Sequence, residues 1–201
     1  MSNLLPKGLY AITSNNDSLM AVQAVLQAGT AVLQYREKLK PNIVHARSLK
    51  RLCDQNNAVL IINDNPELAR AVNADGVHLG EDDESLEQVR EILGEDSIIG
   101  VSCYDSLGLA IEAEQRGANY VAFGAFFPSK TKQNTRRPDL DLLRKAKKKL
   151  SIPIVAIGGI TPENASPLIT AGADYIAAIH GVFGQSDPSK AAKQYKELFE
   201  E

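Results

Sequence analysis

One pattern dominates the chain: a short apolar run followed by a longer amphipathic stretch, repeated eight times. The runs are residues 9–13, 31–36, 58–62, 76–79, 97–101, 120–124, 153–157 and 174–179. They are rich in β-branched residues and nearly continuous in apolar character, as strands covered on both faces are. Between them lie helix-like segments such as "SLMAVQAVLQAG", "NIVHARSLKRLCDQ", "SLGLAIEAEQRG" and "DLDLLRKAKKKL". Strict alternation of strand and helix predicts a parallel sheet. A weak internal repeat supports this: "QAGTAVLQYR", "NADGVHLG", "RGANYVAFG" and "AGADYIAAI" each set a turn residue before a strand. Gly29, Gly117 and Gly172 suit the left-handed residue that ends a helix. Eight such steps close into an α/β (β/α)8 barrel, predicted as a single domain over residues 1–201. An open doubly wound sheet is the competing architecture, but no G-x-G-x-x-G follows the first run.

Bulk properties narrow the function classes. A formal charge of −3 argues against a nucleic-acid or membrane-surface partner. The run "KAKKK" at 145–149 reads as the solvated, dipole-favoured end of a helix. Cys53 and Cys103 show neither metal-ligand spacing nor a CxxC pair. No segment approaches the roughly 20 apolar residues of a membrane span, and the N-terminus has no signal-peptide pattern. A cytoplasmic protein is the expectation.

In barrels of this kind, chemistry sits at the C-terminal ends of the strands. Those ends here are polar in a particular way. "VLQYREK" (32–38) alternates faces, so Val32, Gln34, Arg36 and Lys38 share one side, and Leu33 and Tyr35 share the other. The next runs end in Asn63 and Asp64, in Glu81, Asp82 and Asp83, in Ser102, and in Ser129, Thr131 and Lys132. Asp64 and Asp83 follow consecutive strands. Two carboxylates so close repel unless a cation joins them, and Mg2+ is commonly held by one or two carboxylates plus substrate phosphate. The alternative is that each caps the helix that follows. Gly158 and Gly159 after the seventh run, and His180 and Gly181 after the eighth, fall where barrels often bind phosphate. Arg36, Lys38 and Lys132 would converge on the same mouth, more positive charge than a monophosphate needs and suited to a departing pyrophosphate.

In order along the chain, "QYREK", "IND", "GVHLGEDD", "GVS", "FFPSKTK", "AIGGIT" and "GADYIAAI" resemble the motifs of the thiamine phosphate synthase family, over residues 8 to 190. The resemblance implies a transferase of thiamine biosynthesis. It would join 4-amino-5-hydroxymethyl-2-methylpyrimidine diphosphate to 4-methyl-5-(2-phosphoethyl)thiazole as its phosphate ester, and release pyrophosphate. It further implies that Gln34, Arg36, Lys38, Asn63, Ser102 and Lys132 hold the pyrimidine diphosphate. Asp64 and Asp83 would hold Mg2+, and Ser129, Thr131, Gly159, Ile179 and His180 would line the thiazole phosphate. In that family pyrophosphate leaves first and the thiazole nitrogen attacks the resulting methylene cation. Arg36, Lys38 and Lys132, with the metal, would stabilise the leaving charge. Three positions depart from the family pattern: Glu81 stands where Gln is usual, Ser129 where Thr is common, and His180 where Ser is common. His45 and His78 read as structural. A thiazole tautomerase-like isomerase of the same barrel family, a non-catalytic phosphate-binding barrel and a phosphosugar epimerase are the alternatives. The polar stretch 128–139 is a candidate lid, and oligomeric state is not readable.

Overall fold

A computed structural model describes residues 7–13, 17–37, 40–80, 83–128 and 137–200. Among these, eight strands alternate with eight helices. The strands are β1 (Gly8–Ile12), β2 (Val32–Tyr35), β3 (Val59–Asn63), β4 (Gly76–Leu79), β5 (Ile98–Tyr104), β6 (Tyr120–Phe123), β7 (Ile154–Ile157) and β8 (Tyr175–Ala178). The helices are α1 (Leu19–Gln27), α2 (Ile43–Gln55), α3 (Pro66–Val72), α4 (Leu86–Leu93), α5 (Leu107–Gln115), α6 (Leu140–Lys149), α7 (Pro162–Thr170) and α8 (Pro188–Glu197). Each strand pairs in parallel with the next, and β8 returns to β1, so the sheet closes as a (β/α)8 barrel. Every predicted run is a strand. The one marked difference is β5, which continues to Tyr104 through a register shift against β6 between Ser102 and Tyr104.

The alternation of side chains sorts the core into two compartments. Tyr10, Ile12, Val32, Ile61, Tyr120, Ala122, Val155, Tyr175 and Ala177 fill the barrel interior. Leu9, Ala11, Leu33, Tyr35, Leu60 and Ile62 face outward and pack with the helices. The strands are therefore apolar on both faces, which is why the runs lacked the two-residue polar alternation of a half-wet sheet.

The internal repeat has a physical cause at the N-terminal end of the barrel. Asp75, Asn119 and Asp174 immediately precede β4, β6 and β8. Each donates its backbone N–H to the carbonyl of a residue in the preceding strand: Asp75 to Leu60 at 3.0 Å, Asn119 to Ile99 at 2.7 Å, Asp174 to Ile154 at 2.8 Å. Each side chain accepts the N–H of that same residue, at 2.8, 2.8 and 3.0 Å. Each also takes a cation from a helix: Lys50 of α2, Arg90 of α4 and Lys147 of α6. Ala31 occupies the corresponding place before β2; its N–H reaches Leu9 O at 3.2 Å, but a methyl side chain cannot reciprocate. Lys147 belongs to the "KAKKK" run, so that run is not only a solvated face: one member ties a helix to the barrel floor.

Among the described residues no helix is long and apolar enough to cross a membrane.

Candidate active site

The C-terminal mouth is built on helix starts and strand ends. The helices that leave it are capped by Ser18, Asn42, Asn65, Ser85, Ser106, Asp139, Thr161 and Asp187. This bears directly on the two carboxylates. Asn65, not Asp64, caps α3, its side chain accepting from Leu68 N–H at 2.8 Å. Ser85, not Asp83, caps α4, and with Gln88 it forms a reciprocal capping box. The helix-cap alternative therefore fails for both aspartates.

Asp64 follows Asn63, the last residue of β3, and adopts a left-handed backbone with φ +58°. That conformation is uncommon for a residue with a Cβ. Its N–H donates to the carbonyl of His78 in β4 at 2.9 Å, which ties the two strand ends together. Asp83 lies beyond β4, and its carboxylate accepts the N–H of Gly80. Glu81 and Asp82 lie outside the described residues. Among those described, no three His, Cys, Asp or Glu side chains gather as a metal cage.

Gln34 and Arg36 sit at and just past the end of β2. Gln34 is buried and points into the barrel, as the alternation of "VLQYREK" predicts. The Arg36 N–H donates to the buried Thr13 hydroxyl at 3.2 Å. Lys38 lies outside the described residues, as do Ser129, Thr131 and Lys132 and most of the candidate lid.

A chain of polar side chains crosses the barrel below this mouth. Gln34 Nε2 donates to the Tyr10 hydroxyl at 2.9 Å. The Tyr10 and Tyr120 hydroxyls are 2.8 Å apart. Tyr120 Oη lies 3.0 Å from His78 Nδ1, and His78 Nε2 lies 2.9 Å from Ser102 Oγ. Burial pushes the His78 pKa down to about 4, with Asp83 acting weakly in the opposite sense, so the imidazole is neutral near pH 7. Burial likewise raises the Tyr10 and Tyr120 hydroxyls, so both keep their protons. Two predicted site residues, Gln34 and Ser102, are thus the ends of one network, buried at Gln34, Tyr10 and Tyr120 and partly exposed at His78 and Ser102. Its middle members, Tyr10, Tyr120 and His78, were missed by sequence reasoning. His78 read as structural because it lies within a strand.

The glycine pair after β7 has an immediate structural use. A Cβ on Gly158 would come within 2.3 Å of the Ala125 Cβ, and one on Gly159 within 2.4 Å of the Pro128 carbonyl oxygen. The segment after β6 packs directly on this loop, with Phe126 N–H donating to Ile157 O and Phe127 N–H to Gly158 O. Gly158 and Gly159 both have positive φ, at 109° and 60°. Beyond β8, the Ile179 carbonyl accepts from Val182 and Phe183, and the His180 carbonyl accepts from Gln185 Nε2 at 2.9 Å. The two loops are joined from below by Tyr195, whose hydroxyl donates to Ile160 O at 2.9 Å, while Gly181 fits the gap between them. Gly159, Ile179 and His180 therefore stand on neighbouring, mutually braced loops.

The match to known proteins is decisive for the family. The family model described as thiamine monophosphate synthase matches residues 9–182. The chain belongs to the thiamine monophosphate synthase family. Two relatives named thiamine-phosphate synthase support the assignment. That of Nitrosococcus oceani is 49% identical over 201 residues, covering 96% of this chain and 93% of the relative. That of Azoarcus sp. is 50% identical over 200 residues, covering 96% and 97%. The solved thiamine phosphate pyrophosphorylase of Pyrococcus furiosus superposes with a TM-score of 0.89 at 35% identity, over 96% of this chain and 95% of that one. As a member of the thiamine monophosphate synthase family, the chain is an enzyme, a transferase of thiamine biosynthesis, as its motifs implied.

Proposed function

We propose that this thiamine-phosphate synthase joins the pyrimidine diphosphate and the thiazole phosphate by letting pyrophosphate leave before the new carbon–nitrogen bond forms. The observation that carries the reading is the position of Asp64 and Asp83. They follow adjacent strands, yet neither is used to start a helix, because Asn65 and Ser85 do that work. Carboxylates at a barrel mouth that are spared from capping supply hard oxygen donors. Two of them, with phosphate oxygens and water, fit Mg2+. Bound there, Mg2+ would neutralise diphosphate charge.

The chain's own side chains do the rest. Gln34, Asn63 and Ser102 orient the pyrimidine diphosphate by hydrogen bonds. Arg36, Lys38 and Lys132 stabilise the two phosphates as the C–O bond breaks and its electron pair leaves with pyrophosphate. The electron-rich aminopyrimidine tolerates the resulting methylene cation, and the walls of the site keep water away from it. The thiazole nitrogen then donates its lone pair to that carbon. It carries no proton to remove, so no general base is required. Ser129, Thr131, Gly159, Ile179 and His180 hold the thiazole phosphate in line for this attack, the last three through backbone groups. The partners are therefore two small phosphorylated molecules.

The test is pyrophosphate release from purified protein with both precursors and Mg2+. Release that requires all three supports the reading. Release that is indifferent to the thiazole phosphate or to the metal overturns it.

A further inference from the structure

Followed from the Gln34 amide, the five-residue network under the mouth has one order in which every hydroxyl and ring nitrogen is bonded. Gln34 Nε2 donates to Tyr10 Oη. The Tyr10 proton is then directed to Tyr120 Oη, 2.8 Å away. Tyr120, having accepted, directs its own proton to His78 Nδ1 at 3.0 Å. An imidazole that accepts at Nδ1 carries its proton on Nε2. That Nε2–H points at Ser102 Oγ, 2.9 Å away. Ser102 then accepts from below, and its own O–H is turned away from His78.

The rings that carry this order are held from several sides. Tyr120 is stacked on His78 with centroids 5.6 Å apart and planes 19° apart, and it meets Tyr10 edge-on at 5.9 Å. Gly100 of β5 leaves the space for it: a Cβ there would lie 1.9 Å from the Tyr120 Cζ. Among the described residues, no buried side-chain nitrogen or oxygen lacks a partner. The five residues come from β2, β1, β6, β4 and β5, so no local turn or helix preference explains their meeting.

We propose that His78 is a positioning residue whose fixed Nε2–H tautomer makes the Ser102 hydroxyl a hydrogen-bond donor to the diphosphate of the pyrimidine substrate. This rests on the function proposed above. An anion needs donors, and a serine free to rotate would present a lone pair as readily as a proton. One fixed donor from below occupies one of the two lone pairs and turns the proton away from His78 before the substrate arrives, which is preorganisation of the kind that strengthens charge stabilisation.

The decisive measurement is the two-bond nitrogen–proton NMR spectrum of the His78 ring in the full-length protein, assigned by comparison with His78→Gln. The expected pattern is a neutral ring protonated on Nε2 alone. A ring protonated on Nδ1 overturns the proposal whatever the enzyme's activity, because Ser102 would then donate to His78. The second measurement is the Kd of the pyrimidine diphosphate with Mg2+. Ser102→Ala and His78→Asn, which keeps only the Nδ1 position, should each weaken binding about tenfold, the scale of one charge-assisted hydrogen bond. His78→Gln, which can reach the Nε2 position, should lose less than His78→Asn. The Ser102→Ala/His78→Asn pair should be no worse than either single change. Losses that multiply, or equal losses for Asn and Gln at position 78 in proportion to lost thermal stability, overturn the positioning role. Wild-type protein that releases no pyrophosphate under any precursor combination counts against the synthase reading; the tautomer measurement separates that failure from this one.

Discussion

Asp174 and Ile154 hold each other by two hydrogen bonds, backbone N–H to carbonyl at 2.8 Å one way and backbone N–H to carboxylate at 3.0 Å the other. Lys147 closes on both carboxylate oxygens at 2.7 Å, and Lys7 on one at 3.0 Å. Asp174→Ala removes the acceptor and leaves a buried N–H, and should cost about 3 kcal/mol in urea denaturation. Burial alone would raise the Asp174 pKa, but the bonds from Lys147, Ile154 N–H and Lys7 outweigh it and leave it below its ordinary value near 3.8. A carboxylate with a lowered folded pKa adds stability that is present above its unfolded pKa and is lost as pH falls through the folded value. Asp174→Asn should therefore flatten the stability–pH curve below about pH 4 and leave its shape at pH 6–8 unchanged.

The same arrangement at Asp75–Leu60 and Asn119–Ile99 shows how much of the fold was legible. The repeat was visible as a turn residue set before a strand, in "QAGTAVLQYR", "NADGVHLG", "RGANYVAFG" and "AGADYIAAI". The reason for it was not, because the bonding partner lies 15 to 20 residues upstream. Periodicity reports burial, and so the eight strands could be read directly. It says nothing about which polar group meets which across a barrel: Tyr10 and Tyr120 are 110 residues apart, and His78 and Tyr120 are 42 apart. At the mouth, Gln34 was legible from strand alternation. The helix starts were ambiguous, because "NDN" and "DDES" each offer several capping residues and only the backbone selects Asn65 and Ser85.

That selection gives a paired prediction. Ser85→Ala removes the cap of α4 and should cost about 1 kcal/mol of stability with turnover per folded molecule unchanged. Asp83→Ala should reverse the pattern, lowering turnover about 100-fold or more while the melting temperature moves little. Steady-state pyrophosphate release and thermal unfolding on the same samples check both. Equal loss of stability and turnover in Asp83→Ala would return Asp83 to a purely structural role.

Both cysteines are buried, and burial pushes the thiols of Cys53 and Cys103 up to about 12. The reactive species is the thiolate. In the native protein at pH 8 neither should react with a disulfide-exchange reagent on the timescale of minutes. In denaturant both should titrate at once, giving two thiols per chain. A native thiol that reacts promptly would show that α2 or β5, which carry them, open readily.

Gly100→Ala tests the barrel interior itself. The added methyl would lie 1.9 Å from the Tyr120 Cζ, well inside contact distance. The ring cannot swing aside freely, because its hydroxyl is bonded to Tyr10 and His78 and its face is stacked on the imidazole. The methyl must therefore move β5 or break the network, and overpacking of this kind costs about 1–3 kcal/mol. Ser102 lies two residues further along the same strand and should be displaced with it, so affinity for the pyrimidine diphosphate should fall as well. Tyr120→Leu in the Gly100→Ala background removes the clash but not the loss of the hydroxyl. Stability should recover in part, while affinity should not. Recovery of both together would mean that Tyr120 serves packing alone, and an unaffected Gly100→Ala protein would mean that the ring does not lie against β5.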